Sequence, residues 1–507
     1  MQSKIVRYII NGLYAASGVF LTLLFLANSK ILSANTIILI VNAVFSFIFF
    51  YFMTPQSLTN DFVFKEKEPR KFLFLILSVL VTATICVDLV TSIDIVYVIG
   101  SSIILCVFIY SFLKVAVHFY SKWALGNNKK FYLVSSLLVS LLIIIQFSVF
   151  KFAYLQNDFI NSMDSFFVYD DMYRDVTYFD IRHPLYTVFS YPLYAFFKTL
   201  LSVFRIKFDT CLPIILQLVN GQLYVFSALL LEKIFNNKYV KYYFICSYPV
   251  IINLFYFEKG AIVLFLLLLS IYLIIVNSEN KDAAVVLSSG ASLTSCVIAF
   301  CYLFSEKKKL VAKLQEMLLL IVRAICIYIV LGRIFVVTSF IDLLAYKDQF
   351  LEKISIVQKL FSYTHMVSSG FLAPKLVYSD DVLVFDGITD SINFFGTIVF
   401  ILSVSLLLSG FKKIENKISL FWIVFSFVFV VFVGWGASES PLFSYYFSWP
   451  FLVAAVQGLT SLMTKLKVSE KKEKVLHGLL FSVMLTINIA YAIYITVYSK
   501  DIWLCVQ

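Results

Sequence analysis

Apolar residues come in blocks of about 20 along nearly the whole chain, each long enough to cross the roughly 30 Å of hydrocarbon in a bilayer as a helix. Windows of about 19 residues predict spans near residues 8–27, 35–53, 71–90, 93–116, 132–153, 186–204, 211–232, 240–257, 259–276, 283–304, 319–341, 390–410, 418–436, 444–463 and 475–498. The pattern predicts an all-α polytopic membrane protein of about 15 transmembrane helices with two larger extracytoplasmic loops.

The polar stretches between the blocks set the expected orientation. With the N-terminus inside, the basic loops around Lys65, Lys67 and Arg70, from Lys114 to Lys130, at Lys307 to Lys309, at Lys412 and Lys413, and from Lys465 to Lys474 fall on the cytoplasmic side. One loop disagrees: Lys233, Lys238 and Lys241 fall outside, so a re-entrant or short helix pair is expected between about 211 and 257. The two longer polar segments, 154–185 and 342–390, face the external side. The chain therefore divides into an N-terminal four-span module (1–131), a middle module with both external loops (132–390) and a C-terminal four-span module (391–507).

Composition narrows the class. With 61% hydrophobic and only 14% charged residues, and a mean hydropathy of +0.92, the chain lies outside the range of soluble domains. Its net charge of +11 resides in the short loops, which points to membrane topology and not to nucleic acid. Met1 to Arg7 is basic, but the run that follows is long enough to span and has no small-residue cleavage site, so it is expected to stay as a helix. The eight cysteines fall mostly inside apolar runs without a C-x-x-C motif and read as small core residues.

Against this background the segment Asp158–Pro184 is unusual. It gathers Asp158, Asp164, Asp170, Asp171, Asp175 and Asp180 with Arg174, Arg182 and His183. As a helix from about Asp158 to Val176 it places Asp164, Asp171 and Asp175 on one face and Met163, Phe166 and Tyr173 on another. That is an interfacial amphipathic helix with its aromatic side at headgroup level and its carboxylates toward water or a cavity. Asp170 and Asp171 point about 100° apart, so one can face a substrate while the other pairs with Arg174. The plainer alternative is a solvated anionic loop whose carboxylates pair with Arg174 and Arg182.

An acidic motif in the first large external loop (Asp164, Tyr169-Asp170-Asp171), followed by His183-Pro184-Leu185 opening the next helix, resembles the C-type (GT-C) integral membrane glycosyltransferases. The resemblance covers about 132–390, including the second external loop. Two departures stand out: about four spans precede the acidic loop where many members have one, and His-Pro-Leu replaces the commoner His-Pro-Pro-Leu. The opening RYIINGLYAASGVFLTLLFL and the later NDFVFKE are similar to small four-span proteins associated with flipping lipid-linked sugars, so residues 1–131 are either an extra packing bundle or a fused accessory module.

The resemblance implies transfer of a sugar from a polyprenyl-phosphate donor to an acceptor hydroxyl, on a glycan or cell-envelope polymer, at the external face of a bacterial cytoplasmic membrane. An Asp then serves as general base in an inverting displacement, with Asp171 and Asp170 ranked ahead of Asp164. Cations must hold the donor phosphate. Arg333, in the outer half of the apolar run RAICIYIVLGRIFVVTSF, is the leading candidate, and Arg182, His183, Arg174 and Lys375 complete the expected substrate-binding set. No cofactor is expected. The carboxylates of Tyr378-Ser379-Asp380-Asp381 and Asp386-Gly387 suit a divalent cation but match no complete calcium loop. His365 has no evident partner, Glu258-Lys259 reads as a self-pairing loop, and Glu439 is placed at the external mouth. Two rival readings are a polysaccharide polymerase or ligase using a diphosphate-linked donor, and a lipid-linked sugar flippase or transporter, although the chain shows no internal repeat.

Overall fold

The computed structural model describes residues 128–150, 168–174, 182–183, 185–206, 208–278, 281–304, 309–331, 354–374, 376–379, 382–385, 391–437, 441 and 443–506. The first four expected spans lie outside the described residues, as do Asp164, Arg333, Lys375 and Glu439. The first helices in chain order are α1 (Lys129–Phe150), α2 (Tyr186–Val203), α3 (Phe208–Phe235), α4 (Val240–Cys246), α5 (Tyr248–Phe255), α6 (Gly260–Ile275), α7 (Lys281–Ala291) and α8 (Leu310–Leu331). A π-helix, Val168–Arg174, precedes α2, and a 3-10 helix, Leu293–Leu303, follows α7. The remaining helices are α9 (Ile356–Ser369), α10 (Phe394–Ser409), α11 (Ile414–Phe427, continued by a π-helix to Val433), α12 (Ser444–Phe447), α13 (Trp449–Lys465) and α14 (Glu470–Val506).

Among the described residues four stretches are long and apolar enough to cross a membrane: Lys129–Ser148, Cys211–Phe235, Ile414–Val433 and Glu470–Ile495. Their outward faces carry stripes such as Leu133, Leu137, Leu141 and Ile144 on α1, and Val475, Leu479 and Val483 on α14, all exposed. Such surfaces are compatible with a membrane protein. The described fold is helical, as expected, with one small exception within the second large loop, where β1 (Leu376–Ser379) and β2 (Val382–Phe385) form an antiparallel hairpin with Ser379 opposite Val382. In the same loop Ser355 and Gln358 form a capping box that starts α9.

The basic segments converge on one end of the bundle. Lys241 Nζ lies 2.6 Å from Asn128 Oδ1 and 2.9 Å from Glu232 Oε1, and Lys238 Nζ lies 3.4 Å from Glu470 Oε1. Tyr239 stacks on His477 with ring centroids 3.8 Å apart, and Asn237 Nδ2 reaches Thr460 Oγ1. The Lys233–Lys241 loop, expected on the opposite side from Lys130 and Lys474, therefore sits with both.

Two expected spans account for the reversal. The first, 186–204, forms α2, which begins beside Tyr173 and the middle of α3 and ends where α3 begins, some 18 Å beyond Asn220 and away from the basic end. It does not return to the basic end, so α3 runs toward that end where an outward run was expected. The second, 283–304, is a helical hairpin: Tyr302 Oη donates to Asp282 Oδ1 at 2.6 Å, so α7 and the 3-10 helix start and finish together, with the turn at Ala291–Leu293 at the far end. The described elements between the two therefore run in the direction opposite to the expected one. The expected short helix pair is present as α4 and α5, broken at Ser247 where the chain turns extended (ψ 150°) ahead of Pro249, which lacks the amide hydrogen needed to continue a helix.

The C-terminal helices join the same body: α13 packs on α4 and α10, and α14 on α4 and α5. At the crossing of α9 and α10, Gly396 lies so close to the Thr364 carbonyl that a side-chain carbon would collide with it.

Candidate functional site

At the end of the bundle opposite the basic loops, the acidic segment meets the rest of the chain. Its described part is a π-helix, whose wider turn brings Val168, Met172 and Tyr173 to one side, and all three are fully buried. The expected helix put its aromatic side at headgroup level. Tyr173 instead enters the protein core, where its hydroxyl donates to Asn220 Oδ1 at 3.1 Å and its ring packs edge-on against Phe257 (5.0 Å) and Tyr186 (6.0 Å). Burial pushes the Tyr173 hydroxyl up to about 12, so it remains a neutral donor. The Ser190 hydroxyl of α2 donates to the Met172 carbonyl, capping the short helix from the other side.

Asn220 is itself held. Its Nδ2 reaches Gln217 Oε1 at 3.4 Å, and Gln217 Nε2 donates to the carbonyls of Asn253 and Tyr256 at 2.8 and 3.0 Å, where α5 ends. Gln146 of α1 donates to the Phe255 carbonyl at 2.8 Å. The buried amides thus satisfy the open carbonyls of a helix terminus and carry a hydrogen-bonded path up to Tyr173. Asp170 and Asp171 occupy the middle of the π-helix, so their backbone is fixed by this anchorage. Arg174 is exposed, with Cζ 5.9 Å from the Tyr169 ring centroid.

Arg182 and His183 are brought to the same place by the α7 hairpin. Leu293 N donates to Arg182 O and Leu185 N to Gly290 O, both at 2.8 Å. His183 Nδ1 lies 2.7 Å from Ala291 O, which assigns the proton to Nδ1 and leaves Nε2 as an acceptor in the neutral ring. Gly290 is required by this contact, because a side-chain carbon there would run into Leu185. The structure therefore brings together the Asp170–Asp171 turn, Arg174, Arg182 and His183.

Glu258, expected in a loop with Lys259, was not among the expected site residues. It is only 7% exposed, in the short turn between α5 and α6, within electrostatic reach of the buried hydroxyls of Tyr186 and Tyr224. Its neighbours clamp it: Phe257 packs on Tyr169 and Tyr173, while Gly260 is close enough to Tyr224 that an added carbon would lie 2.9 Å from its hydroxyl. The only signal in the sequence was a carboxylate among bulky residues in FYFEKG. His365, expected without a partner, has Nε2 3.3 Å from Ser391 O, outside this cluster. Among the described residues no three His, Cys, Asp or Glu side chains gather to hold a metal ion.

Comparison of the chain with protein families, with characterised proteins and with solved structures finds no match.

Proposed function

We propose that this chain is a polytopic membrane glycosyltransferase that moves a sugar from a polyprenyl-phosphate donor to an acceptor hydroxyl, with Asp171 or Asp170 as general base. The observation that carries the reading is the anchored acidic turn: the backbone of two adjacent aspartates on a π-helix held by Tyr173 and Ser190, with Tyr173 and His183 packed on the same Tyr186 ring, at the end opposite the basic loops. π-Helical turns recur at functional sites because the widened turn is maintained only where packing stabilises it. The positive-inside rule then places the basic end in the cytoplasm and this site outside, in keeping with a donor presented on the external leaflet.

The residues divide the chemistry between them. A phosphate leaving group departs as a weak base, so the main need is removal of the acceptor proton, which a carboxylate performs. Inversion follows from a single displacement with base and leaving phosphate on opposite faces of the sugar. Arg182, His183 and Arg174 are assigned as partners for substrate, with Arg333 and Lys375 assigned to the donor phosphate from the sequence. No cofactor enters this scheme. A bacterial cytoplasmic membrane is the expected location.

The test is turnover of a labelled polyprenyl-phosphate sugar by purified protein, comparing Asp164→Asn, Asp170→Asn and Asp171→Asn. One of the three should abolish transfer while leaving donor binding intact. Full activity in all three would refute the base assignment, and turnover confined to a diphosphate-linked oligosaccharide would favour a polymerase or ligase.

A further inference from the structure

Helix α2 and the corner that follows it present a surface the proposed reaction does not use. The helix starts at the buried site and ends at the head of α3, so it begins and ends on the site side of the bundle. A span has no reason to do this, yet the composition is that of one. From Tyr186 to Lys207 the chain contains Lys198, Arg205 and Lys207 and no Asp or Glu. One face packs inward through Tyr186, Ser190, Tyr194 and Leu201, all buried. The outward side shows Phe196, Leu200, Phe204 and Ile206, each 40 to 66% exposed.

Cations flank this apolar surface. Arg205 is exposed at a left-handed corner (φ 54°), immediately beside Phe204, and Lys198 Nζ sits 5.6 Å from the Tyr194 ring centroid. In water, the four exposed apolar side chains would be a liability. In the middle of a bilayer, Lys198 and Arg205 would be. Both requirements are met at one depth only, where acyl chains give way to headgroups.

We infer that α2 and the α2–α3 corner form a membrane-interface docking surface, with Phe196, Leu200, Phe204 and Ile206 inserted among acyl chains and Lys198 and Arg205 bound to the phosphates of anionic lipids in the leaflet on the site side. The lipid is the occupant because the charged side chains described on this surface, Lys198 and Arg205, are both cations set beside exposed apolar residues, and the exposed Ser202 hydroxyl is turned back onto the Lys198 carbonyl at 2.8 Å. The surface rests on geometry alone, and its test needs no turnover, so it stands apart from the glycosyltransferase reading.

The experiment uses the full chain reconstituted in phosphatidylcholine–phosphatidylglycerol nanodiscs. A nitroxide on Leu200→Cys, with the signal of the parent protein subtracted, is compared with one on Leu466→Cys in the exposed loop before α14. Dissolved oxygen should relax the Leu200 label far more than a water-soluble nickel chelate does, and the Leu466 label should show the reverse. In parallel, phosphatidylglycerol retained by the purified protein should fall about five-fold for each charge removed in Lys198→Gln and Arg205→Gln, roughly 25-fold in the double variant, at unchanged folded yield. Nickel accessibility at Leu200 equal to that at Leu466, or dipolar coupling between Leu200 labels on two copies, would overturn the proposal. So would unchanged phosphatidylglycerol retention in the double variant.

Discussion

Lys241 offers the sharpest quantitative test of the arrangement. Its ammonium is 2.9 Å from Glu232 Oε1 and 2.6 Å from Asn128 Oδ1, with its side chain 6% exposed and that of Glu232 19% exposed. It also lies 5.0 and 5.4 Å from the ring centroids of Phe131 and Tyr242. Removing one partner of a buried ion pair costs about 3–5 kcal/mol, chiefly because the other charge is left unpaired. Glu232 retains some water, so Lys241→Met should cost less, about 3 kcal/mol, including the lost cation–π contacts. Removing both charges in Lys241→Met/Glu232→Gln should cost only about 1 kcal/mol, because no uncompensated charge remains. The two single losses should therefore exceed the double by about 2 kcal/mol or more in a double-mutant cycle. Reversible unfolding of the full chain in mixed micelles, followed by circular dichroism, measures each term. Additivity within about 0.5 kcal/mol would refute the pair, and with it the junction of Asn128, Glu232 and Lys241 at one end of the bundle.

Three further outcomes test other parts of the structure. A membrane-impermeant maleimide should label Lys238→Cys from the same side as Lys471→Cys; labelling from opposite sides would restore the orientation expected from hydropathy alone. Gly396→Ala should lower stability by about 3 kcal/mol, since its neighbour is the Thr364 backbone and cannot swing away, whereas Gly478→Ala, with nothing near its added carbon, should be neutral or slightly stabilising. Glu258→Gln should reduce turnover of the labelled donor by on the order of 10- to 100-fold with folded yield preserved, through displacement of the Tyr186 and Tyr224 hydroxyls, and Lys259→Gln should not. Equal effects of the two would show that the turn matters only for folding.

Hydropathy read the long helices well, because α1, α3 and α14 are single apolar runs whose length is dictated by the structure they traverse. It misread 186–204 and 283–304 for the same physical reason: burial in a protein core and burial in lipid demand the same residue types. In α2 a run rich in Tyr and Phe leans on the π-helix and α3. In α7 the break falls at Gly290, Ala291 and Ser292, where small residues let the chain turn back against Leu185. Of the candidate site, the sequence showed the acidic segment and His183 as close neighbours along the chain, and in the fold Tyr173 and His183 both pack on the Tyr186 ring. Its supports were not legible: Asn220, Gln217 and Gln146 are ordinary polar residues in apolar helices, and only their contacts with the end of α5 reveal why they are there. Glu258 was legible only as one half of an adjacent Glu-Lys pair, and its burial beside Tyr186 and Tyr224 had no signal in the sequence.

The hydrogen bond between His183 and Ala291 joins residues 108 positions apart. At roughly 5–20 residues per second of synthesis, the α7 turn emerges some 5–20 s after the segment it grips. For that interval the acidic turn has been made, but the backbone groups that hold Arg182, His183 and Leu185 do not yet exist. The candidate site is thus completed late during synthesis, and a substitution at Gly290 would leave a chain whose earlier helices are in place without the contact that seats Leu185.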